Sequence, residues 1–311
     1  MKKYGLWGKQ KKSESDIMVK SVYKLSIIIS KVIGVWFFIV LAKIIATGFF
    51  LFSPGKVKIS VGFYTALFPG KSTFYYLWCA MKQFQSFTKI FLHRFMLLDL
   101  KDICFNSIGW DQLEKAIDEK EGGIILMSHL GNWEIAAHLM KQRRQDVKFM
   151  LFLGKKHKEQ IEDMQKERLE EKGIKIVAVD KDGGSPFLLL EGIKWMNEGG
   201  LLSMTGDMIW TKEQRSVAVD FLDNKANLPE TPHMLALLSG KPLYIMFAIQ
   251  SAKNHYTIEA SEPIYVKAEK RSERKDAVRK SAQTYANLME QTVRRYPFEW
   301  FHFGPFLDKK E

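Results

Sequence analysis

The chain has 311 residues, 46% of them hydrophobic, and carries 47 basic against 35 acidic side chains for a net charge of +12. That length accommodates one large folded domain with a short appendage, and the apolar content is ordinary for a protein with a core. The charge is localised: residues 1–60 hold eleven lysines against only Glu14 and Asp16, a net +9, which argues against nucleic acid as the main partner because a phosphate reader needs its charge on the recognition surface.

A lysine cluster beside an apolar stretch suits an anionic bilayer face instead. Residues 32–52 supply the stretch, long enough to span a hydrocarbon core but interrupted by Lys43. The expectation is a monotopic or re-entrant helical anchor on a cytoplasmic membrane face, occupying residues 1–60 ahead of a catalytic domain at 61–311. The run starts too late and is too long for a cleavable signal peptide. Residues 63–94 read as helical and aromatic-rich, with rings that suit a core or a membrane-facing rim. Cys79 and Cys104, the only cysteines, make neither a disulfide framework nor a cysteine zinc site.

From Gly122 onward apolar segments alternate in type. Strands are predicted near 123–128, 148–153, 174–179, 200–205, 216–221 and 242–249, and helices near 132–144, 156–172, 186–198 and 232–239. This alternation predicts a layered α/β domain with a largely parallel central sheet flanked by helices, whose active site gathers beyond the carboxyl ends of strands. Thr231-Pro232 reads as a helix start, with Thr231 as N-cap and a helix N-terminus able to face an acceptor phosphate or acyl carbonyl, and Gly240 as its stop. Residues 268–295 form a charged amphipathic helix packed through Val278, Ala282, Tyr285, Leu288 and Val293.

The most informative segment is His129-Leu130-Gly131-Asn132-Trp133-Glu134, directly after an apolar strand. Asn132 is a good helix N-cap, which puts His129 in a tight strand-to-helix loop and Glu134 in the first helical turn, where its carboxylate can swing back to the imidazole. A histidine is a good general base near neutral pH, and a carboxylate on one ring nitrogen fixes the tautomer that frees the other. First-turn N–H groups would stabilise an oxyanion. The same pair would also suit plain capping of a surface helix, and a bare His-x4-Glu on its own favours that reading.

Other chemistries fit less well. Phe68-Pro69-Gly70-Lys71-Ser72-Thr73 ends like a phosphate loop but has Thr65 where the first glycine belongs, and no Gly-x-Ser-x-Gly elbow exists. Glu134 and His138 stand four apart on one helical face with His129 upstream, a donor set for zinc in a metal-dependent hydrolase. A non-catalytic membrane lipid-binding protein would use the same anchor and fold without needing the His/Glu pair.

Met127-Ser128-His129-Leu130-Gly131-Asn132-Trp133-Glu134 resembles the His-x4-Asp/Glu block of the lysophospholipid acyltransferase superfamily, in the form found in bacterial lipid A late acyltransferases (lauroyl and myristoyl transferases). Arg168 with Gly173 resembles the family's Arg-x4-Gly, and Gly206-Asp207 its next acidic position. Val219-Asp220-Phe221 followed by Thr231-Pro232 resembles its third block, and residues 297–303, Pro-Phe-Glu-Trp-Phe-His-Phe, resemble its C-terminal Pro/Trp/His signature. The chain departs from the family at Leu151-Phe152-Leu153-Gly154, at Met208-Ile209-Trp210 and at His233, so the chemistry carries over better than the substrate does.

The resemblance implies transfer of an acyl group from acyl carrier protein or acyl-CoA to a hydroxyl of a lipid or glycolipid acceptor, such as a lipid A precursor. It implies no metal and no cofactor, and places the protein on the cytoplasmic face of the bacterial inner membrane. His129 would be the base and Glu134 its orienting carboxylate, with Asn132, Arg168, Asp207 and Thr231 as substrate-binding residues. The basic residues Lys141, Arg143, Arg144, Lys155, Lys156 and Lys158 would suit an acidic carrier protein.

Overall fold

The structure, a computed structural model, describes residues 35–96, 103–154, 169–171, 173–179, 186–211, 213–252 and 254–308. The sheet forms because β2 (Gly123–Met127) is apolar on both faces. Strand side chains alternate, so Ile124 and Leu126 enter one core and Ile125 and Met127 the other. β1 (Cys104–Ile108), β3 (Phe149–Gly154), β4 (Ile174–Val179), β5 (Leu201–Thr205), β8 (Leu243–Ala252) and β9 (His255–Ala260) join β2 in the order β1-β9-β8-β2-β5-β3-β4. Every neighbouring pair is parallel except the β8–β9 hairpin, so the expected layered α/β architecture with a largely parallel sheet is present.

Helices cover both faces. α4 (Trp110–Asp118) and α5 (Trp133–Arg143) bury residues in one core, and α6 (Pro186–Asn197), α7 (Thr231–Ser239) and α8 (Arg274–Arg295) pack on the other. On α8, Val278, Ala282, Tyr285 and Val293 are buried as the amphipathic pattern predicts, while Leu288 is only partly so.

Three elements differ from the expectation. Residues 216–221 are a strand, but β6 (Ser216–Phe221) leaves the central sheet and forms a separate antiparallel hairpin with β7 (Asn224–Pro229). Its turn places Leu222 and Asp223 both at positive φ, 52° and 56°, the geometry that brings two strands straight back on each other. Thr231 is the first residue of α7 rather than its cap, which is Glu230. The aromatic-rich segment 63–94 is broken at Pro69-Gly70 into α2 (Pro54–Leu67) and α3 (Thr73–Met96). The helix expected at 156–172 lies outside the described residues apart from its last turn.

α1 (Val35–Phe52) precedes α2, and the two meet at 94°. Among the described residues no single helix is long and apolar enough to cross a membrane, although this bent pair together has the length and composition. α1 leaves Trp36, Ile44, Ile45 and Phe52 exposed, Phe52 by 87%, and α3 adds Phe74 at 81%. α2 does not stop at residue 60: its Phe63, Tyr64 and Leu67 are buried in the main core.

Candidate active site

Strand register brings the site together. β2 and β5 are parallel neighbours with Met127 opposite Thr205, so the residues two steps beyond each, His129 and Asp207, leave the sheet side by side. Gly206 donates its N–H to the Met127 carbonyl at 2.8 Å, which extends the pairing one residue past the strands. A side chain at Gly206 would stand 2.7 Å from Leu126 and 2.9 Å from the Tyr285 ring, so only glycine permits this approach. Tyr285 also donates its hydroxyl to the Met127 carbonyl, tying α8 to the strand end.

The His129 loop is held on all sides. Gly131, at φ +77°, lies so close to β8 that a Cβ would sit 2.1 Å from the Ala248 carbonyl oxygen. Asn132 donates its N–H to that carbonyl, Gly131 donates to the Glu299 carbonyl, and Phe301 donates to the His129 carbonyl, each at 2.8 Å. The C-terminal segment thus runs antiparallel to the loop, with Leu130 bridged to Trp300.

At the centre, His129 Nδ1 lies 2.8 Å from Asp207 Oδ1, and the His129 backbone N–H donates to Asp207 Oδ2, also at 2.8 Å. Trp300 Nε1 adds a third donor to Oδ2 at 3.2 Å. Asp207 is buried, which by itself would raise its pKa; the charge and hydrogen bonds of His129, helped by His302 nearby, more than offset burial and hold it at about 2. An ionised carboxylate only accepts, so Nδ1 carries the proton. In the neutral imidazole Nε2 is then the lone pair, with no partner among the described residues, on a side chain 28% exposed.

This corrects the expected division of labour. The carboxylate on the His129 ring is Asp207, expected as a substrate contact, and not Glu134. Glu134 is buried in the first turn of α5, a favourable position for a negative charge at a helix start. Asn132 caps α5 as its sequence position predicts, its Oδ1 accepting from the N–H groups of Glu134 and Ile135, so this oxygen serves the fold.

The cap narrows the choice of oxyanion donor. Of the amides from His129 to Ile135, those of 129, 130, 131, 132, 134 and 135 donate to Asp207, Ser128, Glu299, Ala248 and, twice, Asn132. Trp133 N–H alone has no acceptor among the described residues.

Other expected site residues fall elsewhere. Arg168 lies outside the described residues. Thr231 opens α7, whose buried His233 pairs with Ser281 Oγ of α8 at 2.8 Å. His138 is buried within α5, and among the described residues no three His, Cys, Asp or Glu side chains gather as a metal site. Of the basic residues expected to receive a carrier protein, the three that are described are internally paired. Arg143 bonds Glu114, Arg144 bonds Asp118 and Asp146, and Lys141 donates to the carbonyls of Gln145 and Val147. Lys155, Lys156 and Lys158 are outside the described residues.

Two residues of the C-terminal Pro/Trp/His signature were given no role at the site from the sequence. Trp300 clamps Asp207, and His302 stands edge-to-face with His129 at 5.8 Å between ring centroids. Their spacing of two in an extended segment is the signal that both share one face.

The sequence model of one protein family, bacterial lipid A biosynthesis acyltransferase, matches residues 79–307, from within α3 to the C-terminal segment that closes the site. A search of the curated proteins returns no match.

Proposed function

The chain belongs to the bacterial lipid A biosynthesis acyltransferase family, and from that premise we propose that it moves a fatty acyl group from a thioester, acyl carrier protein or acyl-CoA, to a hydroxyl of a lipid or glycolipid acceptor. The observation that carries this reading is His129, with Nδ1–H fixed on buried Asp207 and Nε2 bare. Nε2 takes the acceptor's hydroxyl proton as its oxygen attacks the thioester carbonyl. Trp133 N–H donates to the resulting oxyanion. Collapse breaks the C–S bond, and the imidazolium returns the proton to the departing thiolate, so no covalent acyl-enzyme forms. Asp207 remains an anion throughout and stabilises the imidazolium.

The place of action in this proposal is the cytoplasmic face of the bacterial inner membrane. Its support is the exposed apolar side of α1 and α3 together with lysines beside it: Lys56 lies over the Phe49 ring and Lys82 over that of Trp78. Aromatic and aliphatic groups would enter the acyl region while ammonium groups meet anionic headgroups.

The test incubates purified full-length protein in vesicles with acyl carrier protein or CoA thioesters and a lipid A precursor. Expected are free thiol and an O-acylated product by mass spectrometry, with His129→Ala slower by about 10²- to 10⁴-fold. Product formation by folded His129→Ala at the wild-type rate would refute the mechanism.

A further inference from the structure

His302 is placed with unusual constraint for a residue outside the base and its carboxylate. Trp300 stacks on its ring at 5.5 Å and Phe306 meets it edge-on at 5.3 Å. Nδ1 lies 3.1 Å from the Gly304 carbonyl oxygen, which can only accept, so Nδ1 carries the hydrogen and Nε2 of the neutral ring is a lone pair. Burial pushes the His302 pKa below its ordinary value, the Asp207 charge opposing and His129 adding to the shift, so the ring is neutral at pH 7. Nε2 has no hydrogen-bond partner among the described residues, although the side chain is more than nine-tenths buried.

The site therefore presents two imidazoles, 5.8 Å apart between centroids, each with Nδ1 committed to the protein and Nε2 open. A single reacting hydroxyl satisfies one of them. No donor among the described residues reaches the His302 nitrogen, so only a ligand or solvent can bring the second hydrogen. We propose that His302 binds the acceptor: its Nε2 accepts a hydrogen bond from a second O–H or N–H of the molecule whose hydroxyl His129 deprotonates. The contact favours an acceptor with a second polar hydrogen beside the reacting hydroxyl over a simple fatty alcohol. The inference rests on the acyl-transfer reading for its consequence, but the contact itself can be read without turnover.

The experiment uses full-length protein in detergent micelles with 1,2-dodecanediol and 1-dodecanol as probes. In ¹⁵N NMR without donor, the His302 Nε2 signal is expected to move with the diol and not with the mono-alcohol. With dodecanoyl-CoA present, wild-type kcat/KM should favour the diol at least tenfold. That ratio should fall towards one in His302→Phe, which keeps a ring between Trp300 and Phe306, and recover in part in His302→Gln, which restores an acceptor. An Nε2 signal indifferent to the diol, or a His302→Phe ratio equal to wild type, would overturn the proposal. Wild-type protein that acylates neither alcohol, with the Nε2 signal still following the diol, would refute transfer to such hydroxyls and leave the contact standing.

Discussion

His129 and Asp207 are 78 positions apart and meet through two hydrogen bonds of 2.8 Å, one to the ring and one to the backbone of the same histidine. The carboxylate thereby fixes both where the loop leaves β2 and which way its imidazole faces. Replacing Asp207 by Asn preserves size but removes the charge that fixes the Nδ1–H tautomer. Transfer should drop by about 10²- to 10⁴-fold with acceptor KM changed much less. Glu134→Gln should cost less, because the ring nitrogen is held by Asp207. Steady-state kinetics on both variants compares them, and a larger loss in Glu134→Gln would return the orienting role to Glu134.

Trp133 offers a backbone test. Asn132 is extended, at φ −123° and ψ 92°, a conformation that tolerates a following proline, and Trp133 is the first helical residue, where proline is favoured. Trp133→Pro therefore removes the N–H without breaking α5, and Trp133→Ala removes only the side chain. Relative to the alanine variant, the proline variant should lose about 10²- to 10³-fold in kcat at similar Tm. Equal kcat in the two would show that the oxyanion is stabilised elsewhere.

Membrane attachment should depend on the exposed aromatic side of α1 and α3. Burying a phenylalanine side chain is worth about 1.5–3 kcal/mol, so Phe52→Asp and Phe74→Asp should each weaken binding to anionic vesicles by at least about tenfold in co-sedimentation. High salt alone should leave wild-type protein bound, since it screens lysines and not apolar burial. Complete release by salt would mean attachment through charge only.

Acid should destabilise the fold through His233, which is fully buried between α7 and α8. Burial lowers its pKa to about 4, whereas the unfolded chain keeps about 6.5. Below pH 6.5 the unfolded state gains a proton that the folded state refuses. Its contribution is full above that pH and falls by about 1.4 kcal/mol per unit, about 3 kcal/mol in all by pH 4. Denaturant unfolding at pH 7 and pH 4.5 should show a steeper loss for wild type than for His233→Leu. Parallel losses would place the acid sensitivity elsewhere.

The strands that position the site were legible because they are buried on both faces: a continuous apolar run marks β2, and Leu201, Leu202 and Met204 mark β5 around the buried Ser203. β1 and β9 were not, because Cys-Phe-Asn-Ser-Ile and His-Tyr-Thr-Ile-Glu-Ala mix polar residues into short strands towards one side of the sheet. β6 was legible as a strand but not in its partner, since the alternation of Val217, Val219 and Phe221 suits a small hairpin as well as a sheet. The histidine was legible for its loop, and Glu134 looked like its partner because it is near in sequence. Asp207 is nearer in space, by a β2–β5 adjacency that skips two intervening strands and that no local spacing encodes.

Residues 297–303 lie between helices α2 and α3 and the His129 loop. Tyr64 of α2 donates to the Pro297 carbonyl, Gln83 of α3 to the Trp300 carbonyl, and Ser86 and Lys89 to Glu299 Oε1. From the same segment come Trp300 Nε1 on Asp207 and the strand bond to the His129 carbonyl. During synthesis α2, α3 and the sheet emerge before this segment does, so a nascent chain can pair its strands while His129 and Asp207 are still unclamped. The site is completed last, by residues made after everything they join.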